Sequence, residues 1–206
     1  MLVYRDEVPP ELVVDETIDA FDNTFSYPLQ YGYASVGRVT AVGEGVDDEW
    51  LEQRVFAFNP HESHFLADPE TLVPTALSDE RALLIPNTET AVNFVMDARP
   101  RIGARVVVFG QGPIGLLTTA LLSEFPLSEL VTVDRYEPRR RLSESLGADR
   151  AVSPDALGSA IEADADVAFE LSGNPTALDD AIDVTGYAGT VIVGSWYGTK
   201  DVALDL

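Results

Sequence analysis

Apolar and polar positions change rhythm once along the chain, near Pro86. Before it, short alternating runs (ASVGRVTAVGEGV, RVFAFNP, HFLADPETLVP) are broken by glycine and proline. Strand-length runs separated by turn residues predict a small antiparallel barrel or sandwich. After it, brief continuous apolar runs alternate with segments of helical period, the pattern of a parallel α/β sheet covered by helices. The chain therefore divides into two expected domains, 1–86 and 87–206.

The second half can be read element by element. Residues 105–109 form a strand, and 113–124 a helix with Pro113 at its favoured first position. The next strand covers 130–134. Pro138 opens a helix that places Leu142 and Leu146 on one face and stops at Gly147, a left-handed cap. Residues 150–152, 166–171 and 190–194 supply three more strands. Helices are expected over 155–162 and over 175–184, the latter capped by Asn174. A connecting helix, NTETAVNFVMDA, covers 87–98. There is no internal repeat and no low-complexity tract.

Charge changes the picture of the surface. Thirteen Lys+Arg against thirty-five Asp+Glu leave a net charge of −22, and only Lys200 among the cations is lysine. The acids are spread through apolar-rich, periodic segments, so they form an acidic skin on a folded protein and not a disordered tail. Such a surface repels itself unless salt screens it, and molar salt shortens the Debye length to about 3 Å. A salt-rich, halophilic cytoplasm is the expected setting. Nucleic acid and anionic membrane are excluded as partners on the same ground. No apolar run reaches the roughly 20 residues that span a bilayer. The opening MLVYRDEVPPELVVDE is acidic where a signal peptide would be basic. Cysteine is absent, which removes disulfides, thiolate zinc ligands and thiol nucleophiles together.

The candidate chemistry starts at VVVFGQGPIG. Gly110, Gly112 and Gly115 form G-x-G-x-x-G between a strand and a helix. The first glycine makes the tight turn, the second admits a pyrophosphate to the backbone, and the third lets helix pack on strand. Free amides around Pro113 and Ile114 at the helix start would hold the phosphates. Asp134 ends the next strand about twenty residues on, where an acid accepts hydrogen bonds from the adenosine ribose. Arg135 could instead pair with a 2′-phosphate, but an acid beside it repels that group, so NAD is favoured and NADP remains possible. Arg139 could lie over the adenosine. Ser172 and Gly173 follow the fourth strand, and Gly194, Ser195 and Trp196 the fifth, at the sheet end where ligands of parallel sheets bind.

The blocks YPLQYGYASVGRVTAVGEGV, RVFAF, VVVFGQGPIG, VDRYEPRRRLSESLGAD, DVAFELSGNP and GTVIVGSWYG, in this order, resemble the medium-chain dehydrogenase/reductase superfamily over nearly the whole chain. The likeness is nearest to sorbitol/threonine dehydrogenase and bacteriochlorophyllide a dehydrogenase-like members. It implies an α/β chain: a partial GroES-like β-barrel with the substrate site, then a doubly wound Rossmann domain that carries NAD(P). It also implies an alcohol or carbonyl substrate. Zinc-dependent members carry G-H-E-x-x-G-x-V; here Gly32, Val36 and Gly37 keep the frame while Tyr33 and Ala34 fill the His and Glu slots. The cysteine-rich lobe is absent, so no zinc is expected. Set against the family, the chain is expected to lack the first barrel strands and the last Rossmann strand, and so to self-associate as a homo-oligomer.

Without zinc, a side chain must supply the proton or charge stabilisation at the substrate oxygen. His61, in FNPHESHF, is the first candidate and Tyr33 the second; His64 and Glu89 are the other titratable groups considered. Two alternatives stay open on the residues: a non-catalytic dinucleotide-binding module, and a Rossmann-like methyltransferase, since a glycine turn followed by an acid also suits S-adenosylmethionine.

Overall fold

The computed structural model describes residues 3–9, 27–161 and 164–204. It contains two compact units, Met1–Pro86 and Asn87–Leu206. Most of the acidic N-terminal segment, and Glu162 of the helix expected over 155–162, lie outside the described residues.

In the first unit, β1 (Ser35–Arg38), β2 (Arg54–Ala57) and β3 (Leu72–Pro74) form one antiparallel sheet in that order. Ser35 stands opposite Ala57, and Val55 opposite Pro74. The middle strand buries Val55, Phe56 and Ala57, and Phe58 meets Phe56 edge-on at 5.1 Å between ring centroids. Pro74 lies on an outer strand, where a missing N–H breaks no central ladder. A single helical turn, α1 (Asp79–Ala82), follows. It is too short to show a period, so the apolar pattern did not reveal it.

The helix α2 (Ile85–Ala98) begins two residues before its expected start, because Pro86 in the first turn loses no intrahelical bond. The second unit then alternates β4 (Arg105–Phe109), α3 (Pro113–Leu122), β5 (Glu129–Val133), α4 (Glu137–Ser145), β6 (Arg150–Val152), α5 (Leu157–Ala160), β7 (Ala165–Glu170), α6 (Pro175–Asp183) and β8 (Thr185–Val193). All five strands are parallel, in the order β6-β5-β4-β7-β8. Two neighbours in space, β4 and β7, are distant in sequence, and their C-terminal ends mark the switch point of a doubly wound sheet.

Strand periodicity explains the core. Along β4, Val107 and Phe109 join Leu157, Ile161 and Ala181 on one face. Val106 and Val108 join Val95, Ala98 and Leu122 on the other. A strand buried on both faces reads as a continuous apolar run, as RVVVF does. At the opposite end of the sheet Arg105 pairs with Glu129 and Asp164, and Arg150 shares Glu129 at 2.7 Å.

Two other expected elements differ most in extent. The helix expected over 155–162 is a 3₁₀ turn, Pro154–Ala156, running directly into one α turn, α5, with Gly158 inside it; glycine weakens so short a helix. The last strand starts at Thr185, five residues earlier than expected, with a register shift opposite Ala165 and Val167. Ala188 in a left-handed conformation (φ 60°) bends the chain there. Gly147 (φ 104°) ends α4 as expected, with the Ala148 N–H returning to the Ser143 carbonyl at 3.0 Å. Among the described residues no helix is long and apolar enough to cross a membrane.

The acidic skin leaves a local mark on α6. Asp180 is held above the ordinary aspartate range, first by partial burial and then by the carboxylates of Asp179 and Asp183. A raised folded pKa means that the fold prefers the neutral acid. The stability it lends is present below the ordinary range and lost as pH rises through the shifted value. Asp180→Asn is therefore expected to raise the thermal unfolding midpoint by a few degrees near neutral pH in dilute buffer, with the gain vanishing below about pH 4. Melting curves at the two pH values check this.

Candidate functional site

The three glycines after β4 do three different jobs. Gly110 has φ 88°, its N–H bonds the Val133 carbonyl at 2.8 Å, and a Cβ there would come within 2.7 Å of the Ser172 backbone. Gly112 caps the N-terminus of α3 with extended geometry (φ −76°, ψ −173°) and no side-chain cap. A Cβ on Gly112 would meet nothing within 4 Å. The backbone is thus open above the first turn, where Pro113 and Ile114 lead into the helix and amides lack intrahelical partners. At Gly115 a Cβ would overlap the Gly110 carbonyl oxygen, so the third glycine fixes how closely α3 lies on its own turn.

Asp134 is buried, and both of its oxygens accept backbone N–H groups. The N–H of Gln111 reaches Oδ2 at 2.8 Å and that of Tyr136 reaches Oδ1 at 2.7 Å. It therefore staples the glycine turn to the end of β5, a role the spacing alone did not show. A carboxylate offers about four lone-pair sites, so two remain for a ribose diol. Arg135 does not pair with this acid: it donates to the Tyr136 hydroxyl at 2.6 Å and lies 4.6 Å over that ring. Arg139 also lies over Tyr136, at 5.0 Å, and approaches Asp134 Oδ2 at 3.7 Å. Beneath the turn Gln111 is fully buried; its amide donates to the Val108 carbonyl and accepts from the Thr119 hydroxyl at 3.0 Å.

The ends of β7 and β8 are joined by polar groups that sequence reading only partly identified. Gly173 (φ 68°) donates its N–H to Ser195 Oγ at 2.8 Å, and Ser195 Oγ donates to the Glu170 carbonyl at 3.2 Å. Ser172 gives both its N–H and its hydroxyl to Glu170 Oε1, at 2.8 and 2.5 Å. The Tyr197 hydroxyl donates to Glu170 Oε2, and Lys200 Nζ donates to the Gly173 carbonyl at 2.9 Å. A Cβ on Gly194 would overlap the rings and methyls of Phe94 and Leu171. Glu170, Tyr197 and Lys200 were missed; the signal available was an acid closing the apolar run Val167–Phe169 of ADVAFE.

In the first unit the His61 ring fills the space that a Gly32 side chain would need. The main-chain N–H of His61 donates to the Tyr31 carbonyl at 2.8 Å, and the ring meets Tyr31 edge-on at 5.9 Å between centroids. His61 is exposed and Tyr33 is half exposed. His64 lies 3.4 Å from the Ser63 hydroxyl, and Glu89 accepts from Asn93 at 3.0 Å, both on exposed surface.

The chain is similar to known proteins over much of its length. The family model described as zinc-binding dehydrogenase matches residues 113–206. (R,R)-butanediol dehydrogenase of Bacillus subtilis is 30% identical over 205 residues, which span 82% of this chain and 59% of that protein. Sorbitol dehydrogenase 1 of Saccharomyces cerevisiae is 26% identical over 80% of this chain and 59% of its own length. The solved structure of zinc dependent alcohol dehydrogenase 2 from Streptococcus pneumonia has a TM-score of 0.69 at 24% identity, covering 85% of this chain and 62% of that one. The chain thus spans about six tenths of the length of these relatives.

Proposed function

The chain belongs to the medium-chain dehydrogenase/reductase superfamily, and from that premise we propose that it is an NAD(P)-dependent oxidoreductase acting on an alcohol or carbonyl substrate. The methyltransferase alternative falls away with that membership. One observation carries the reading: Gly112 leaves open backbone at an uncapped helix start, while Gly110 and Gly115 are each held by packing. That is a cradle a side chain would fill, and it suits a pyrophosphate. The first turn of α3 would hold the phosphates, Asp134 the adenosine ribose, and Ser172, Gly173, Gly194 and Ser195 the nicotinamide end. Bound there, the nicotinamide would supply or accept the hydride.

NAD is preferred in this reading, because Asp134 presents negative charge where a 2′-phosphate would sit and Arg135 is engaged by Tyr136. The donor set does not fit zinc. The two ligand slots carry the phenol of Tyr33 and the methyl of Ala34, cysteine is absent, and no step is assigned to a metal. The proton at the substrate oxygen then falls to His61, whose ring is set in place by the Gly32 notch, with Tyr33 as a second hydrogen-bond donor. We further read the protein as cytoplasmic, adapted to molar salt, and homo-oligomeric through the outer strand β8, where Tyr187 stands fully exposed.

Titration with NADH in molar KCl tests the reading. The unmutated protein is expected to enhance NADH fluorescence and to bind NADPH more weakly. Gly112→Ala is expected to keep its melting temperature and lose about tenfold or more in NADH affinity, because the new methyl occupies the phosphate position. Equal affinity for NADH in the two proteins refutes the site. Binding without turnover across a panel of alcohols and aldehydes selects the non-catalytic module, and stoichiometric zinc after chelator-free purification refutes the zinc-independent part.

A further inference from the structure

We propose that Tyr197 and the buried Glu170 form a latch that fixes the floor under the nicotinamide half of the dinucleotide site, which makes Tyr197 a positioning residue. The inference rests on the dinucleotide reading of the glycine turn and names side chains to which that reading gives no part.

Glu170 closes β7 and is fully buried. A carboxylate in that place is costly unless each oxygen meets a donor. Oε1 is met from its own loop, by Ser172 N–H and hydroxyl. Oε2 is met from the other loop, by the Tyr197 hydroxyl. Separating the loops would leave a buried oxygen bare, so the carboxylate acts as a tether between them. The tether is doubled. The main-chain carbonyl of Glu170 accepts the Gly194 N–H at 3.0 Å and the Ser195 hydroxyl at 3.2 Å. Gly173 is gripped at both its N–H, by Ser195, and its carbonyl, by Lys200.

The latch also reaches the phosphate turn. Ser172, whose N–H is fixed by Glu170, is the residue whose backbone lies against the α-carbon of Gly110. Displacement of Ser172 would therefore be felt at the first glycine. Tyr197 is unsuited to proton transfer here. Burial, then the hydrogen bond to Glu170 and its charge, hold the phenol well above the ordinary tyrosine range, so it stays a donor throughout the working pH range.

The test separates the two halves of the ligand. NADH and ADP-ribose, which lacks the nicotinamide, are titrated into the unmutated protein and into Tyr197→Phe. Loss of a hydrogen bond to a buried charged group predicts about tenfold weaker NADH binding, with ADP-ribose changed less than about twofold. Lys200→Met, which releases only the Gly173 carbonyl, should give the same selective loss at about threefold, and it carries the test if Tyr197→Phe does not fold. Affinities that stay equal, or that fall together for both ligands, overturn the latch while leaving the dinucleotide reading intact. If the unmutated protein binds neither ligand, that reading fails and the latch fails with it.

Discussion

Gly115→Ala is expected to lower the thermal unfolding midpoint by about 10 °C, a loss of roughly 3 kcal/mol in a chain of this size. The added methyl would overlap the Gly110 carbonyl oxygen and crowd its carbon at 2.9 Å. Those atoms are backbone, and Gly110 cannot swing aside, because its own α-carbon is pressed against Leu171 and Ser172. Either α3 lifts from the sheet or the turn distorts, and each route disturbs the contact of Leu122 with Val106 and Val108. The same methyl at Gly112 meets open space and should cost no stability. Melting curves of the two alanine variants decide the matter: equal midpoints would mean that the third glycine is not a packing residue.

The second large effect is that of salt. A net charge of −22 on 206 residues makes the surface self-repelling, and Asp179, Asp180 and Asp183 are a local case. Few cations are free to offset them. Arg105 and Arg150 are committed to Glu129 and Asp164, while Arg135 and Arg139 lie over Tyr136. Self-repulsion in dilute buffer is expected to remove several kcal/mol from a total stability of about 5–15 kcal/mol. The unfolding midpoint should then rise by about 10 °C or more between dilute buffer and molar KCl. A flat response would refute adaptation to salt.

What could be read from the sequence follows from where its physics is local. Val106–Phe109 of β4 and Leu130–Val133 of β5 carry apolar residues on both faces, and such a run announces a parallel, covered sheet. Caps such as Asn174 and Gly147 announce helix ends, because their geometry depends only on adjacent residues. The glycine turn was legible for the same reason. Asp134 was legible only in part: its spacing from the glycine turn marked it out, but its grip on Gln111 and Tyr136 depends on how two strand ends meet. Glu170 and Tyr197 are separated by 27 residues and joined by a single side-chain bond, a relation that no periodicity expresses. The five-residue misreading at the start of β8 came from Ala188, since nothing marks an alanine as left-handed until the sheet bends it.

The position of β4 in the sheet also has a consequence in time. It is the first strand of its unit to leave the ribosome, yet it lies at the centre, with β5 on one side and β7 on the other. Val106 finds Leu130 about twenty-four residues on, but its partner on the far side, Val167, follows Val106 by about sixty residues. At about 5–20 residues per second, synthesis leaves that flank of β4 unmatched for several seconds. Local pairing takes microseconds. Through that interval the apolar run Val106–Phe109 offers a bare ladder of amides and carbonyls to whatever chain is nearest. The hazardous interval for this chain is therefore its synthesis, before Val167 is available to pair with Val106.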